Sequence, residues 1–212
     1  MNKQGSIFSS LGGHLVDLYR LARFDVRNPY SLSKFRQIRA LGKRSGAKTL
    51  VETGTYLGNT AMRASYVFDK VITVELSPDL YRQASSYLIK RKNVECIEGD
   101  ATKVLPEVMA RPGLENVLVF LDGHFSGGDT ALGDMQEPAC LEIEMLGKHR
   151  DKLAAIVVDD FRLFGVDGWP RKSELIRSVE DHLGADFDLT VHMDQLLIWR
   201  KLAPLRTAVP NS

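Results

Sequence analysis

Short runs of apolar and β-branched residues recur along the chain from Thr49 onward, separated by longer segments whose apolar residues return at helical intervals. An apolar run bounded by turn residues is typical of a strand buried on both faces. Strands that alternate with helices predict right-handed βαβ crossovers and a mostly parallel sheet covered on both sides. The predicted parallel strands are Thr49–Thr53, Val71–Glu75, Val94–Glu98, Val117–Leu121 and Ala155–Asp159.

The intervening segments carry helix signals. Ser77-Pro78-Asp79 has the pattern of an N-cap followed by proline in the first helical turn. The predicted helices are Leu80–Lys90, Thr102–Ala110, Glu137–Arg150 and Lys172–Leu183.

The end of the chain breaks this alternation. Phe187–Val191 and Gln195–Arg200 are two β-like runs separated only by His192-Met193-Asp194, and so short a link permits only an antiparallel pair. We therefore predict an α/β, Rossmann-like, doubly wound and mostly parallel seven-stranded sheet with a C-terminal antiparallel hairpin.

Apolar residues at helical intervals also mark Ile7–Phe24, before the first strand. This pattern predicts a helix that either packs on the sheet or on a second copy of the chain, or caps a substrate site. Residues 1–45 are accordingly expected to form a helical cap or extension, 46–202 the main domain, and 203–212 a C-terminal tail.

Basic and acidic residues nearly cancel, at 28 against 27. This balance offers no electrostatic footprint for nucleic acid or an anionic membrane. The longest apolar runs are far shorter than the roughly twenty residues that span a bilayer, and Met1–Gly13 lacks the apolar region of a signal peptide. Cys96 and Cys140 have neither metal-ligand spacing nor the density of a disulfide scaffold. We expect a cytoplasmic protein with no nucleic-acid partner and no membrane span.

A glycine turn joins the first strand to the helix after it, in the stretch LVETGTYLGNT from Leu50 to Thr60. Glu75 ends the second strand 21 positions after Gly54, where an acid accepts hydrogen bonds from ribose hydroxyls in doubly wound folds. Asp100 follows the third strand, within reach of an adenine. The spacing lacks the middle glycine of dinucleotide-binding proteins, and Glu52 beside the turn is expected to repel a pyrophosphate.

These motifs resemble those of class I S-adenosylmethionine-dependent methyltransferases, over roughly 150 residues from Thr49 to Arg200. The family's first motif corresponds to Glu52-Thr53-Gly54-Thr55-Tyr56-Leu57-Gly58, its second-strand acid to Glu75, and its acidic turn to Gly99-Asp100-Ala101. LDGH and VVDD are similar to the macrocin- and catechol-type O-methyltransferases, which implies that 46–202 is a methyltransferase domain. The resemblance implies these cofactor-binding residues: Glu52, Thr53, Gly54, Thr55, Tyr56, Gly58, Thr60, Glu75, Leu76, Ser77, Asp100, Ala101 and Asp122.

Three further carboxylates follow the fourth and fifth strands. Asp122 ends the fourth strand, and Asp159 and Asp160 end the fifth, so all three are expected at the carboxyl edge of the sheet. Carboxylates gathered there repel one another unless a hard cation such as Mg²⁺ or Ca²⁺ binds them. In the metal-dependent O-methyltransferases the metal ligands stand at these positions. The alternatives are that the first contacts the cofactor or substrate and that the other two cap a turn.

His124 shares a turn with Asp122, and its titration range suits a general base near neutral pH. Substrate binding is its alternative role. Phe164, Trp169 and Arg171 follow the fifth strand, where they either line an acceptor pocket or pack internally.

The sequence thus predicts an S-adenosylmethionine-dependent O-methyltransferase, assisted by a divalent metal such as Mg²⁺, with Asp122 and His124 as catalytic candidates. The expected acceptor is a small hydroxylated molecule, a sugar or glycosylated metabolite first and a phenol or catechol second. The alternatives are a nicotinamide-dependent oxidoreductase and a non-catalytic cofactor-binding subunit. A homo-oligomer formed through the N-terminal helix is a further expectation.

Overall fold

The computed structural model describes Tyr19 and residues 31–123, 137–166 and 168–201. The strands are β1 (Thr49–Thr53), β2 (Lys70–Glu75), β3 (Val94–Glu98), β4 (Val117–Leu121), β5 (Leu153–Val158), β6 (Phe187–His192) and β7 (Gln195–Arg200). The helices are α1 (Ser31–Ser45), α2 (Asn59–Ala64), α3 (Pro78–Leu88), α4 (Ala101–Ala110), α5 (Ala139–Gly147) and α6 (Lys172–Leu183). Single 3₁₀ turns lie at Arg150–Lys152, Phe161–Leu163 and Gly184–Asp186.

All seven strands join one sheet, in the order β3-β2-β1-β4-β5-β7-β6. β1 to β5 pair with one another in parallel, whereas β7 runs antiparallel to both β5 and β6. The predicted doubly wound α/β sheet with a C-terminal hairpin is therefore confirmed.

Several predicted boundaries differ from the structure. β5 ends at Val158, so Asp159 and Asp160 both lie in the loop beyond it. α5 begins only at Ala139, directly after Pro138, and ends at Gly147, three residues earlier than expected. α3 begins at Pro78, as its capping signal indicates, and ends at Leu88. The shift in β5 matters most, because it places two acids in an irregular segment.

The central strands β1, β4 and β5 are buried on both faces, and alternate residues of each face opposite helical layers. In β4, Val119 packs with the cluster beneath α4, α5 and α6, whereas Leu118 and Phe120 pack with the cluster beneath α1 and α2. This explains the uninterrupted apolar runs in the sequence, since a strand covered on both faces has no polar side to display.

α1 is part of this packed unit. Its residues Phe35, Ile38 and Leu41 are buried against the sheet, at the spacing of one helical face. The predicted helix Ile7–Phe24 lies outside the described residues, apart from the exposed Tyr19. The domain boundary after residue 45 and the tail 203–212 remain predictions. Within the described ranges, no helix combines the length and apolar character needed to cross a bilayer.

The ends of β1 and β4 meet at Gly54. Its φ is +86°, and a Cβ added there would lie 2.3 Å from the carbonyl oxygen of Asp122. Only glycine therefore fits where these two strand ends touch.

Gly54→Ala is expected to destabilise the protein by clearly more than Gly113→Ala. Both glycines have positive φ, +86° and +73°, but no atom lies within 4 Å of a Cβ built on Gly113. Gly113→Ala therefore measures only the cost of a left-handed backbone conformation, about 1–2 kcal/mol. Gly54→Ala adds a steric overlap between the new Cβ and the backbone of Asp122. Urea unfolding gives both free energies, and equal losses in the two variants would refute the close contact.

Candidate functional site

The crevice between β1 and β4 is the expected ligand site of this sheet. From β1 the chain winds through β2 and β3 on one side, and from β4 it winds to β5 on the other. In open parallel sheets, ligands bind at the carboxyl ends of the strands where the winding direction reverses. The predicted site residues fall into two groups, one on each side of this point.

The glycine turn after β1 is held by backbone and carboxylate contacts. The amides of Gly54 and Thr55 donate to the carbonyl of Val74, at 3.0 and 3.1 Å. Tyr56 has a φ of 49° and is 46% exposed, and its amide donates to Glu75 Oε2 at 2.7 Å. Gly58, with φ of 76°, is the N-cap residue of α2. The turn therefore presents its edge to the crevice in a fixed conformation.

Glu75 connects the turn to the next strand. Its Oε1 accepts a hydrogen bond from the amide of Ser77 at 2.9 Å, while Oε2 accepts from the amide of Tyr56. Each carboxylate oxygen has a second lone pair. Glu75 is thus oriented by backbone amides and still has the capacity to accept hydrogen bonds from a ligand.

Asp100 lies beside Glu75, because the amide of Gly99 donates to the Glu75 carbonyl at 2.9 Å. Asp100 caps α4 by accepting from the amide and hydroxyl of Thr102 at 2.9 and 2.7 Å. Partial burial raises its pKa, but these bonds and the nearby Lys103 ammonium outweigh burial, so the pKa of Asp100 falls below its ordinary value. Asp100 is therefore the N-cap residue of α4.

Glu52 does not face the crevice. Its side chain is 1% exposed and its Oε2 accepts from the Thr73 hydroxyl at 2.6 Å, which in turn contacts the Thr55 hydroxyl at 2.6 Å. Burial raises the pKa of Glu52 to about 8, with the Thr60 hydroxyl as a further partner. Burial thus favours the uncharged form of Glu52, which would weaken the expected repulsion of a pyrophosphate; that repulsion remains a prediction.

The other residues predicted to bind the cofactor lie next to those described above. Thr53 is buried at the end of β1, while Leu76 and Ala101 are half-buried next to Glu75 and Asp100. Their contacts with a ligand remain predictions.

The acids on the other side of the switch point do converge. The amide of Asp122 donates to the Thr53 carbonyl at 3.1 Å, and the amide of Asp159 donates to the Leu121 carbonyl at 3.0 Å. These bonds set both acids side by side at the strand ends. Burial, together with the charges of Asp159 and Asp160, raises the pKa of Asp122 well above its ordinary range.

Lys34, from α1, reaches into this acid group. Its Nζ lies 2.9 Å from Asp159 Oδ1, 2.5 Å from Asp160 Oδ1 and 3.7 Å from Asp194 Oδ2, and its side chain is only 11% exposed. Burial lowers the pKa of Lys34, but the two nearer carboxylates more than compensate and raise it above its ordinary value. The sequence prediction missed this residue.

Asp194 and Arg162 complete the group and were also missed. Arg162 Nη1 donates to Asp160 Oδ1 at 2.7 Å and to Asp194 Oδ2, and its amide donates to Asp194 Oδ1 at 2.7 Å. Burial raises the pKa of Asp160, but Lys34 and Arg162 prevail and lower it below its ordinary value. We call Lys34, Asp159, Asp160, Arg162 and Asp194 the charged cluster.

Backbone strain accompanies the charged cluster. Asp160, Met193 and Asp194 all have positive φ, of 49°, 46° and 66°. The last two are the central residues of the β6–β7 turn, which follows the type I′ pattern without its usual glycine. Such strain persists only where surrounding contacts hold it, and it is common at functional sites.

The predicted divalent metal does not fit the residues as they are arranged. Within residues 31–123, 137–166 and 168–201, no three His, Cys, Asp or Glu side chains are grouped to hold a metal ion. Asp160 Oδ1 instead accepts from both Lys34 and Arg162. We therefore derive no chemical step through a metal.

Two other predictions concern the acceptor side. His124 lies outside the described residues, so its role as base or substrate ligand remains a prediction. Phe164 and Trp169 are buried and meet edge-on, with ring centroids 5.2 Å apart. The internal-packing alternative holds for these two, while Arg171 is exposed at the start of α6.

Two buried acids at the start of α5 were not predicted as part of the site. Burial raises the pKa of Glu142 to about 8 and that of Glu137 to about 7. The Thr53 hydroxyl at the end of β1 is close enough to oppose this rise in the pKa of Glu142, but neither it nor Glu142 Oε1 has a hydrogen-bond partner among the described residues. In the sequence, the signal for the burial of Glu142 was its position among apolar residues on one face of a predicted helix.

Three solved structures are similar to this chain in fold. The O-methyltransferase from Bacillus cereus in complex with SAH has a TM-score of 0.62 at 16% identity, covering 93% of this chain and 92% of that one. TomG, an O-methyltransferase from Streptomyces achromogenes in complex with SAM, has a TM-score of 0.55 at 17% identity, covering 80% of each chain. The SAH-bound methyltransferase PaMTH1 from Podospora anserina has a TM-score of 0.55 at 18% identity, covering 79% and 78%.

No protein-family model matches the chain, and no curated protein matches it in sequence. The structural likeness, at these identities, shows that the chain has the class I methyltransferase fold. The fold inferred from the sequence motifs is thereby confirmed.

Glu142→Gln is expected to become more stable relative to the unmodified protein as pH rises from about 5 to about 9, by on the order of 4 kcal/mol. Burial raises the pKa of Glu142 from 4.5 to about 8. Its stabilising contribution is therefore complete below its unfolded pKa and lost as pH rises through the folded value, whereas glutamine cannot ionise. Urea unfolding at both pH values measures the difference. Glu144→Gln, at an exposed position of the same helix, is the matched control, and a parallel pH response in both variants would refute the burial effect.

Proposed function

We propose that this chain is an S-adenosylmethionine-dependent O-methyltransferase that acts on a hydroxyl group of a small acceptor. One observation carries the proposal: a nucleotide-type half-site and a charged half-site meet at the switch point between β1 and β4. The glycine turn, Glu75 and Asp100 form the first half. Asp122 borders the second, beside the charged cluster.

The first half-site supplies hydrogen-bond acceptors in the order that a nucleoside requires. Glu75 would accept hydrogen bonds from the two ribose hydroxyls, because backbone amides already orient its carboxylate. Asp100, one strand further on, would face the adenine. The turn at Gly54 lets the remaining part of the cofactor approach the backbone closely. S-adenosylmethionine, when bound, supplies a methyl group on a sulfonium that an oxygen nucleophile can attack.

The second half-site would receive the acceptor. In the transfer, a bond forms between the acceptor oxygen and the methyl carbon, the methyl–sulfur bond breaks with its electron pair remaining on sulfur, and the hydroxyl proton passes to a base. Asp122 is the candidate base among the described residues, because burial and neighbouring charges raise its pKa and make it a better proton acceptor than an exposed aspartate. His124 is the other candidate.

A sugar or glycosylated metabolite is our first choice of acceptor, and a phenol or catechol is second. Carboxylates and cationic donors dominate the described part of the second half-site. Such groups match the many hydroxyls of a sugar better than the face of an aromatic ring. Phe164 and Trp169, for which lining an acceptor pocket was one of two alternatives, are buried and pack against each other.

Several expectations remain predictions of the sequence: a cytoplasmic location, the absence of a nucleic-acid partner, and association through the N-terminal helix. The proposal does not depend on any of them. Metal assistance is not carried into the proposal, because the described residues are not arranged to hold a metal ion.

Calorimetry with S-adenosylmethionine and S-adenosylhomocysteine tests the cofactor part of the proposal. Binding of both, with no change in NADH fluorescence on titration, would favour the methyltransferase over a nicotinamide enzyme. Methyl transfer from labelled cofactor to a panel of sugars and phenols tests the catalytic part. Cofactor binding without any turnover on the panel would favour a non-catalytic subunit.

Glu75→Gln is expected to weaken S-adenosylmethionine binding at least about tenfold, because it removes the charge from hydrogen bonds worth about 1.5–3 kcal/mol. Glu98→Gln is the matched control, since Glu98 pairs with Glu75 at the end of the neighbouring strand and is exposed. Calorimetry measures both dissociation constants. Equal affinity in the two variants would remove Glu75 from the cofactor site.

A further inference from the structure

We infer that the Lys34 ammonium occupies the place of a divalent cation between the strand-end carboxylates, so that the charged cluster is balanced by the chain's own residues and binds no divalent metal. The inference deepens the function proposed above by naming what organises its chemical half. The binding of metal itself is independent of that function.

The oxygen atoms that a metal would need already have cationic donors. Asp160 Oδ1 accepts from Lys34 Nζ at 2.5 Å and from Arg162 Nη1 at 2.7 Å, which uses both of its lone pairs. Asp194 Oδ2 likewise meets Arg162 Nη1 and lies 3.7 Å from Lys34 Nζ. Mg²⁺ is held by one or two carboxylates together with waters, and Ca²⁺ by about six to eight oxygens. Either ion would have to displace Lys34 or Arg162 from these carboxylate oxygens.

The position of the ammonium also excludes a metal at the same point. Nζ of Lys34 lies 2.9 Å from Asp159 and 2.5 Å from Asp160, the two acids that were expected to share the ion. A cation coordinated by this pair would stand within a few ångströms of a second positive charge, in a site largely shielded from water. The two cations therefore compete for one place.

The packing of α1 explains why a residue so early in the chain reaches this site. α1 runs antiparallel to β5: Lys34, near its start, lies at the carboxyl edge, while Arg44, near its end, stacks over Trp199 with 4.1 Å to the ring centroid. Trp199 pairs with Ala155 toward the opposite end of β5. Gln37, one turn after Lys34, contacts Met193 Sδ at 3.2 Å. The helix thus spans the strand and is fixed at both ends.

Lys34 is therefore a positioning residue, which holds Asp159 and Asp160 in place at the chemical end of the crevice. Under the proposed function, methyl transfer would persist in the presence of a chelator. α1 would then be a wall of the acceptor site as well as a core helix.

The test is a Mn²⁺ titration of the purified full-length protein, stripped with chelator and followed by the electron paramagnetic resonance signal of free Mn²⁺. The unmodified protein is expected to bind no ion below about 1 mM. Lys34→Met removes the ammonium and is expected to bind Mn²⁺ at least about tenfold more tightly. Lys34→Arg retains a cation and is expected to behave like the unmodified protein. Lys34→Met combined with Asp160→Asn is expected to lose the acquired site.

Two results would overturn the inference. One is Mn²⁺ binding by the unmodified protein that Asp160→Asn abolishes. The other is a folded Lys34→Met variant, verified by circular dichroism, that binds no more Mn²⁺ than the unmodified protein. Should that variant not fold, Lys34→Gln undergoes the same titration with the same criteria. Because no cofactor or turnover is involved, a failure of the methyltransferase proposal leaves this result unaffected.

Discussion

The burial of carboxyl groups at the carboxyl edge of the sheet is the constraint on which the rest of the site depends. A carboxylate removed from water needs hydrogen-bond donors, a cation or a proton. This chain uses all three solutions: amides bind Glu75, two cations bind Asp160, and burial favours the protonated form of Glu52. Each solution produces a different chemical surface. Glu75 keeps the capacity to accept hydrogen bonds from a ligand. Asp160 becomes part of an ion-pair network, and Glu52 is favoured as an uncharged buried carboxyl group.

The order of the strands determines how the carboxyl groups on each side of the crevice are stabilised. β2 and β3 lie beside β1 on one side, so the amide-bound Glu75 and the helix-capping Asp100 adjoin the glycine turn. β5 and the hairpin lie on the other side. Because β7 is antiparallel to β5, the hairpin turn returns to the carboxyl edge and brings Asp194 to Asp160 and Arg162. The left-handed conformations of Asp160 and Asp194 are the local strain that this convergence holds in place.

The site residues that could be predicted from the sequence are those at or just after the ends of strands. Apolar runs locate the strands, and parallel strands bring Asp122 to Asp159 without further information. Lys34 and Asp194 were not predictable in this way, because their approach depends on the packing angle of α1 and on the register of the hairpin. The burial of Glu52 was also predictable. Residues two apart on a strand share a face, so its alternation with the buried Leu50 already indicated that it faces a helical layer.

The two half-sites also differ in how they are assembled along the chain, and this difference has a functional consequence. The nucleotide half comes from one continuous stretch, from Gly54 to Ala101, joined by short crossovers. The charged half combines a helix that precedes the sheet, a loop after β5 and the hairpin near the end of the described chain. A change in how α1 packs would therefore alter the acceptor end while the turn and Glu75 stay in place. Under the proposed function, acceptor preference would therefore vary through α1 without altering the residues that would hold the cofactor, which would separate specificity from cofactor binding within one sheet.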